Sequence, residues 1–266
     1  MLRLGLIGCG AIGEEVLAAS SGGKLPGVVI PAVLVRRPRA AASRHGAVLV
    51  ADAERFFGER FDAVLECAGH AAVAAHGARV LEAGADLLVT STGALADATL
   101  LERLLVAAEA RGRRLILPSA GIGALDILAA AALGGLDEVQ ITVRKDPESW
   151  RGTAAEASHD LGKLARETLL YDGPVREGAR RYPQNVNIAA AVALAGIGFE
   201  RTRLTIFADP AVADHVVEVT AAGRFGRFHF REEVVPSAEN RKTGRLVAMA
   251  VMKAIRQMTA TLVVGA

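Results

Sequence analysis

The opening residues, Leu2-Arg3-Leu4-Gly5-Leu6-Ile7-Gly8-Cys9-Gly10-Ala11-Ile12-Gly13, leave the chain few ways to continue. A short apolar run reads as a buried strand. It breaks at a G-x-G-x-x-G made of Gly8, Gly10 and Gly13, and a helical pattern through Leu17 begins at once. In a dinucleotide site each glycine answers a separate physical need. Gly8 permits the tight turn, Gly10 lets the backbone approach a pyrophosphate, and Gly13 lets helix and strand pack closely. The phosphates then lie against the positive end of the helix, where backbone N–H groups point outward. Ala11 and Ile12 are therefore expected cofactor contacts along with the three glycines. The alternative is a glycine-rich turn that binds nothing.

At 266 residues the chain is long enough for one large domain or two ordinary ones, and 52% apolar residues supply a sizeable core. Aromatics are only 4%, and the formal net charge is +2. No basic block is dense enough to suggest a nucleic-acid partner. No apolar stretch reads as a membrane-spanning helix, and the N-terminus enters a strand without a leader-like segment. The expectation is a cytoplasmic protein with no membrane partner. Cys9 and Cys67 have neither metal-like nor disulfide-scaffold spacing, so no metal site is expected.

A second buried strand is expected over 28–35, followed by Arg36-Arg37-Pro38-Arg39. An NAD-preferring site would place a carboxylate near this strand end to bind the adenosine ribose. A guanidinium at Arg36 instead suits a 2′-phosphate, so NADP is favoured and NAD stays open; the alternative is a solvated arginine loop. The strand over 61–67 ends in the small residues Cys67, Ala68 and Gly69, which let a cofactor lie close. His70 just beyond reads as a helix cap. A further strand, 86–90, ends in Ser91-Thr92-Gly93-Ala94, and helices are expected over 71–83 and 98–111. Alternating strands and helices over residues 1–120 argue for a Rossmann-type, doubly wound parallel sheet.

Gly121 and Gly123 precede an Ala- and Leu-rich helix and offer a second backbone contact for the cofactor. The pattern then changes. Residues 139–144 alternate apolar and polar, as do strands expected over 204–208, 216–220 and 225–235, with helices over 161–167 and 186–196. This predicts a second, α+β domain over 121–239 with a mixed or antiparallel sheet. The C-terminal segment 240–266, with an amphipathic helix over 242–258, is expected to pack back on the first domain. Within the second domain Arg144 and Lys145 are candidates for a carboxylate clamp, or else a surface pair. Asn185 and Asn187 stand at a helix start, where one of them suffices as a cap. His215 suits proton transfer during oxidation of an amine or alcohol.

Taken in order, Gly8-Cys9-Gly10-Ala11-Ile12-Gly13, Glu66-Cys67-Ala68-Gly69-His70, Ser91-Thr92-Gly93-Ala94-Leu95, Gly121-Ile122-Gly123-Ala124-Leu125-Asp126, Tyr182-Pro183-Gln184-Asn185-Val186-Asn187, Ala208-Asp209-Pro210 and Asn240-Arg241-Lys242-Thr243 form a set that resembles the L-aspartate dehydrogenase family and spans nearly the whole chain. The resemblance implies a homodimer that oxidises L-aspartate with NAD or NADP to iminoaspartate. That product hydrolyses to oxaloacetate and ammonia or feeds NAD biosynthesis. It also implies cofactor contacts at Gly121 and Asn187, and Lys242 joins Arg144 and Lys145 as a candidate for gripping the substrate carboxylates. Two positions depart from the family pattern. Gly121 stands where alanine is usual, and Val217 stands where the catalytic histidine is expected, with His215 two residues earlier. Residues two apart on a strand face the same side, so His215 is the catalytic candidate. Two other readings stay open: a related dehydrogenase acting on another small amino or hydroxy acid, and a nucleotide-binding sensor without turnover.

Overall fold

Leu4 and Leu6, both fully buried, place the first strand at the centre of a parallel sheet. The computed structural model describes residues 1–37, 43–119, 123–183, 186–237 and 244–265. By its internal contacts the chain divides into two units, Met1–Ala120 with Ala248–Ala266, and Gly121–Val247.

The first unit runs β1 (Leu2–Ile7), α1 (Ala11–Ser21), β2 (Val28–Val29), β3 (Ala32–Leu34), β4 (Ser43–Arg44), β5 (Ala47–Val50), α2 (Ala53–Phe57), β6 (Ala63–Glu66), α3 (His70–Glu82), β7 (Asp86–Val89), α4 (Ala98–Arg111) and β8 (Leu115–Ile116). The sheet order is β4-β5-β3-β1-β6-β7-β8, with β2 paired to the start of β1. All pairings are parallel except the β4–β5 hairpin. Chain order reverses at β1, which has β3 on one side and β6 on the other, so a crevice for ligand opens beyond its carboxyl end. The single strand expected over 28–35 is split into β2 and β3 around Ile30 and Pro31. Pro31 has no N–H to give a ladder, and its carbonyl accepts a bond from Val48 N at 2.9 Å. The helix α4 starts where the Asp97 carboxylate accepts bonds from Thr99 N and Leu100 N, and it ends at the left-handed Gly112.

The second unit runs α5 (Leu125–Gly134), β9 (Leu136–Lys145), β10 (Thr168–Pro174), α6 (Val175–Arg181), α7 (Asn187–Ala195), β11 (Arg203–Ala208), β12 (His215–Gly223) and β13 (Gly226–Val234). The sheet order is β10-β11-β9-β12-β13, and only β11–β9 is parallel. Val139, Ile141 and Val143 of β9 and Val217, Val219 and Ala221 of β12 form the buried face. The three helices pack on this sheet: α5 on β12, α7 on β9, and α6 on β10 and β11. The helix expected over 161–167 is a single 3-10 turn, Leu161–Lys163. The strand β10 and helix α6 lie outside the expected elements: a register shift between Leu169 and Tyr171 breaks the alternation that would mark the strand.

The last helix, α8 (Leu246–Gln257), buries Val251 and Ile255 among Leu4, Leu6, Val16 and Leu65 of the first unit. Among the described residues no helix is long and apolar enough to cross a membrane. Ile255→Ala should cost roughly 2–4 kcal/mol by transfer and cavity terms, measured as a lower urea midpoint in a transition followed by circular dichroism.

Candidate functional site

The glycine loop shows a different constraint at each glycine. Gly8 has φ +107, and a Cβ there would sit 2.9 Å from Ala68 Cβ and from the Cys67 carbonyl. A Cβ on Gly13 would lie 2.7 Å from the Gly8 carbonyl oxygen. Gly10, the N-cap of α1, would meet nothing within 4 Å, and no side chain caps the helix. The loop is thus tight at two glycines, Gly8 against residues 67–68 and Gly13 against Gly8, and open at the third. A bare helix N-terminus beside open backbone suits a pyrophosphate in shape and in partial charge.

The opposite wall is set by Glu66, only 1% exposed at the end of β6. Its carboxylate accepts bonds from Ala68 N and Gly69 N, both at 2.7 Å, from Ser91 Oγ at 3.0 Å and from Ser91 N at 3.2 Å. Burial pushes its pKa up, and these donors oppose the shift. The sequence marks Glu66 only as the one charge in an apolar strand, and nothing in it announces the bonds that the carboxylate makes. Cys67 is half-buried, its Sγ 3.5 Å from the Gly8 carbonyl, and desolvation pushes its thiol pKa up, so it packs as an inert small side chain. Ala68 is exposed at the lip of the loop, and Arg36 is exposed just past β3. Glu14, in the first turn of α1, is held by Arg44 Nε at 2.7 Å and lies 3.8 Å from His45 Nε2. Although burial opposes it, Arg44 and Cys9 hold the Glu14 carboxyl below the usual range.

In the second unit, the expected Arg144–Lys145 clamp does not form, because neighbours on a strand point to opposite faces. Arg144 lies on the face away from the buried valines, with Nε 2.5 Å from Glu167 and Nη1 3.2 Å from Glu218. Its Nε is also 3.7 Å from Asp209, and the guanidinium lies 5.2 Å from the Phe207 ring centroid. Burial opposes its charge, and the Glu167 and Glu218 partners raise its pKa. The guanidinium is committed to the protein's own carboxylates.

Lys145 is 2% exposed on the helix-covered face, its Nζ 5.6 Å from the Trp150 ring centroid. The β12–β9 register pairs Val216 with Arg144, which puts the 4%-exposed His215 level with Lys145 on the adjacent strand. Trp150 beneath Lys145 has a buried Nε1 with no hydrogen-bond partner among the described residues, and its ring meets Tyr182 edge-on at 5.9 Å. Sequence reasoning misses Trp150 because it stands in a 3-10 turn without periodicity. Asn187 is the first residue of α7. Gly121 and Lys242 lie outside the described residues, as do Arg39, Asn185 and Asn240. Among the described residues no cluster of three or more His, Cys, Asp or Glu side chains is placed to hold a metal.

Two family profiles meet near residue 120, where the contacts also divide the chain, and the second runs on through α8. Residues 8–118 match "Homoserine dehydrogenase, NAD binding domain" and residues 126–258 match "Aspartate dehydrogenase, C-terminal". The L-aspartate dehydrogenase of Ruegeria pomeroyi is 43% identical, covering 98% of this chain and 94% of its own. The chain belongs to the L-aspartate dehydrogenase family. A second L-aspartate dehydrogenase, from Pseudomonas aeruginosa, is 40% identical over 96% of this chain and 97% of its own. The crystal structure of aspartate dehydrogenase from Thermotoga maritima superposes with a TM-score of 0.78 at 23% identity, covering 99% of both chains, and so shares the fold. As a member of the L-aspartate dehydrogenase family the chain uses NAD or NADP.

Gly13→Val should cost roughly 1–3 kcal/mol of folding stability, because its side chain meets backbone. Gly10→Val should leave the urea midpoint unchanged and weaken NADH binding, read by nicotinamide fluorescence, by at least about tenfold. Equal loss of stability in both variants would contradict the division of roles within the loop. Arg144→Ala should lower stability by about 1 kcal/mol without raising the substrate KM, checked by parallel unfolding and steady-state assays.

Proposed function

We propose that the protein oxidises L-aspartate with NAD or NADP, giving iminoaspartate that hydrolyses to oxaloacetate and ammonia. The observation that carries this reading is the buried pair of Lys145 and His215, level with each other on adjacent strands of one sheet face. An ammonium fixed beside an imidazole suits an anionic amino acid that must lose a proton from nitrogen as it is oxidised. The near full-length similarity to proteins named L-aspartate dehydrogenase supports the same substrate.

Bound nicotinamide supplies the acceptor for the hydride that leaves Cα. Gly8, Gly10 and Gly13 shape the loop for its pyrophosphate, and the N–H groups of Ala11 and Ile12 at the start of α1 bind it. Cys67 and Ala68 keep the crevice wall small, and Arg36 takes the adenosine 2′-phosphate when NADP is used. Gly121 and Asn187 contact the cofactor by resemblance to the family. Lys145 holds one substrate carboxylate, joined by Lys242, and His215 takes the proton from the substrate ammonium so that the nitrogen lone pair can drive oxidation. The enzyme acts in the cytoplasm as a homodimer, with no nucleic-acid or membrane partner, and its iminoaspartate is available to NAD biosynthesis.

Val217, at the position where the family pattern has a histidine, favours a second reading: a dehydrogenase for another small amino or hydroxy acid. One assay separates the two. Purified protein with L-aspartate and NAD or NADP should form reduced nicotinamide, and a panel of amino and hydroxy acids should react more slowly. His215→Ala should lower kcat by about 10²-fold. Arg36→Glu should lower kcat/KM with NADP by at least about tenfold and leave NAD almost unaffected, since the new carboxylate repels a phosphate. A faster panel substrate would replace aspartate, and cofactor binding without turnover on any substrate would identify a sensor.

A further inference from the structure

On β13 the residues facing the helix-covered side are Phe228, Phe230, Glu232 and Val234, and those facing away are Arg227, His229, Arg231 and Glu233. Three of the four inward positions are apolar. Glu232 is the exception. It pairs directly with Val217 across the β12–β13 ladder, while His215 pairs with Val234. Glu232 and His215 are therefore diagonal neighbours on one face, and Lys145 stands beyond His215 on the next strand.

The carboxyl group of Glu232 has no cation to pair with among the described residues. The ion pairs of this strand, Arg231 with Glu218 and Glu233 and His229 with Glu218, all lie on the other face. Glu232 accepts a hydrogen bond from the Gly123 backbone, just before α5, and its Oε1 is buried with no partner among the described residues. Among the described residues, the ionisable groups facing it from neighbouring elements are His215 on β12 and Lys145 on β9; Asp126, exposed in the first turn of α5, is the one such group on that helix. Leaving a buried acceptor without a donor costs folding energy that a leucine at this position would not. An unpaired carboxyl oxygen kept out of water, diagonal to an imidazole, is instead suited to receive a proton from a bound molecule. Burial raises its pKa to about 7, so both protonation states are populated near neutral pH.

We propose that Glu232 is a catalytic proton carrier for the hydrolytic half of the reaction. The assignment rests on the aspartate-oxidising reading above. Water adds to the iminium carbon of the oxidised substrate through its oxygen, and the Glu232 carboxylate takes the proton that the water loses. The neutral acid returns this proton to the nitrogen. The C–N bond then breaks, ammonia leaves with the bonding pair, and the hydroxyl gives its proton to solvent as the carbonyl forms. Iminium and water become oxaloacetate, ammonia and a proton, and Glu232 ends as it began. No external oxidant or reductant is needed.

The test compares wild type, Glu232→Gln and Glu232→Asp. In the cofactor-free protein, carbon NMR of labelled glutamate should show one carboxyl titrating near 7 that is missing from Glu232→Gln. With L-aspartate, Glu232→Gln should lower kcat by roughly 10²-fold, leave NADH binding unchanged and lose the acid limb of the wild-type kcat–pH profile. Glu232→Asp should recover part of the rate and keep that limb. Folding is checked by thermal unfolding. Because the raised pKa makes the wild-type carboxylate a burden that grows as pH rises from 4.5 to about 7 and is level above that, Glu232→Gln should match wild type at low pH and melt higher above neutrality. Wild-type kcat and pH profile in Glu232→Gln, or a lower kcat with an unchanged profile, would overturn the proposal while leaving aspartate oxidation intact. Absence of wild-type turnover on aspartate would overturn both.

Discussion

The buried carboxylate of Glu66 is the interaction on which the first unit most depends. Four donors converge on it, three of them backbone N–H groups of Ala68, Gly69 and Ser91. It joins the carboxyl ends of β6 and β7, and so fixes residues 67–69 against Gly8. The glycine loop is shaped from both sides, by its own lack of side chains and by a wall that cannot recede. A charge buried this deeply is tolerated because nearly all its hydrogen-bonding capacity is used. These bonds hold residues 67–69 and 91 in place through the protein's own groups, which reduces the ordering cost of binding.

Much of this is legible in the sequence because it rests on local rules. The glycine spacing, the alternation of strand and helix through residue 120, and the change to half-buried strands after residue 138 all follow from backbone geometry and from which face of an element is wet. The doubly wound sheet and the mixed second sheet appear as those rules imply. What is not legible depends on contacts made at a distance. The strand β10 hides behind a bulge, and Trp150 has no periodicity to announce it. Arg144 and Lys145 read as a cationic pair in one dimension and are split by the pleat in three. Glu232 sits in Arg231-Glu232-Glu233, which reads as solvated charge until the register shows that its middle member faces inward.

The second sheet separates charge by face. On one side Arg144, Glu218, Arg231 and Glu233 neutralise one another in a chain of ion pairs. Burial works against ionisation of Glu218, and Arg231 and Arg144 nevertheless hold it below the usual carboxylate range. On the other side Lys145, His215 and Glu232 stand among valines, alanines and aromatic rings. Charges on the first face are matched and inert. Those on the second stand among apolar neighbours, where Lys145 and His215 are almost wholly buried and burial raises the Glu232 carboxyl pKa. The same strands thus carry a structural surface and a chemical one, one residue out of phase.

Because α8 returns to lie among Leu4, Leu6 and Leu65, the whole of 121–247 interrupts the first unit in sequence. On a ribosome, the sheet that contains residues 2–7 must wait for residues 246–257, made after the whole of the second unit, before its core is sealed. Val251 and Ile255 supply contacts of very high sequence separation, and such contacts slow folding far more than they alter equilibrium stability. The nascent first unit therefore spends the synthesis of the second with apolar surface uncovered, the interval in which a chaperone or a misfolded contact has its opportunity.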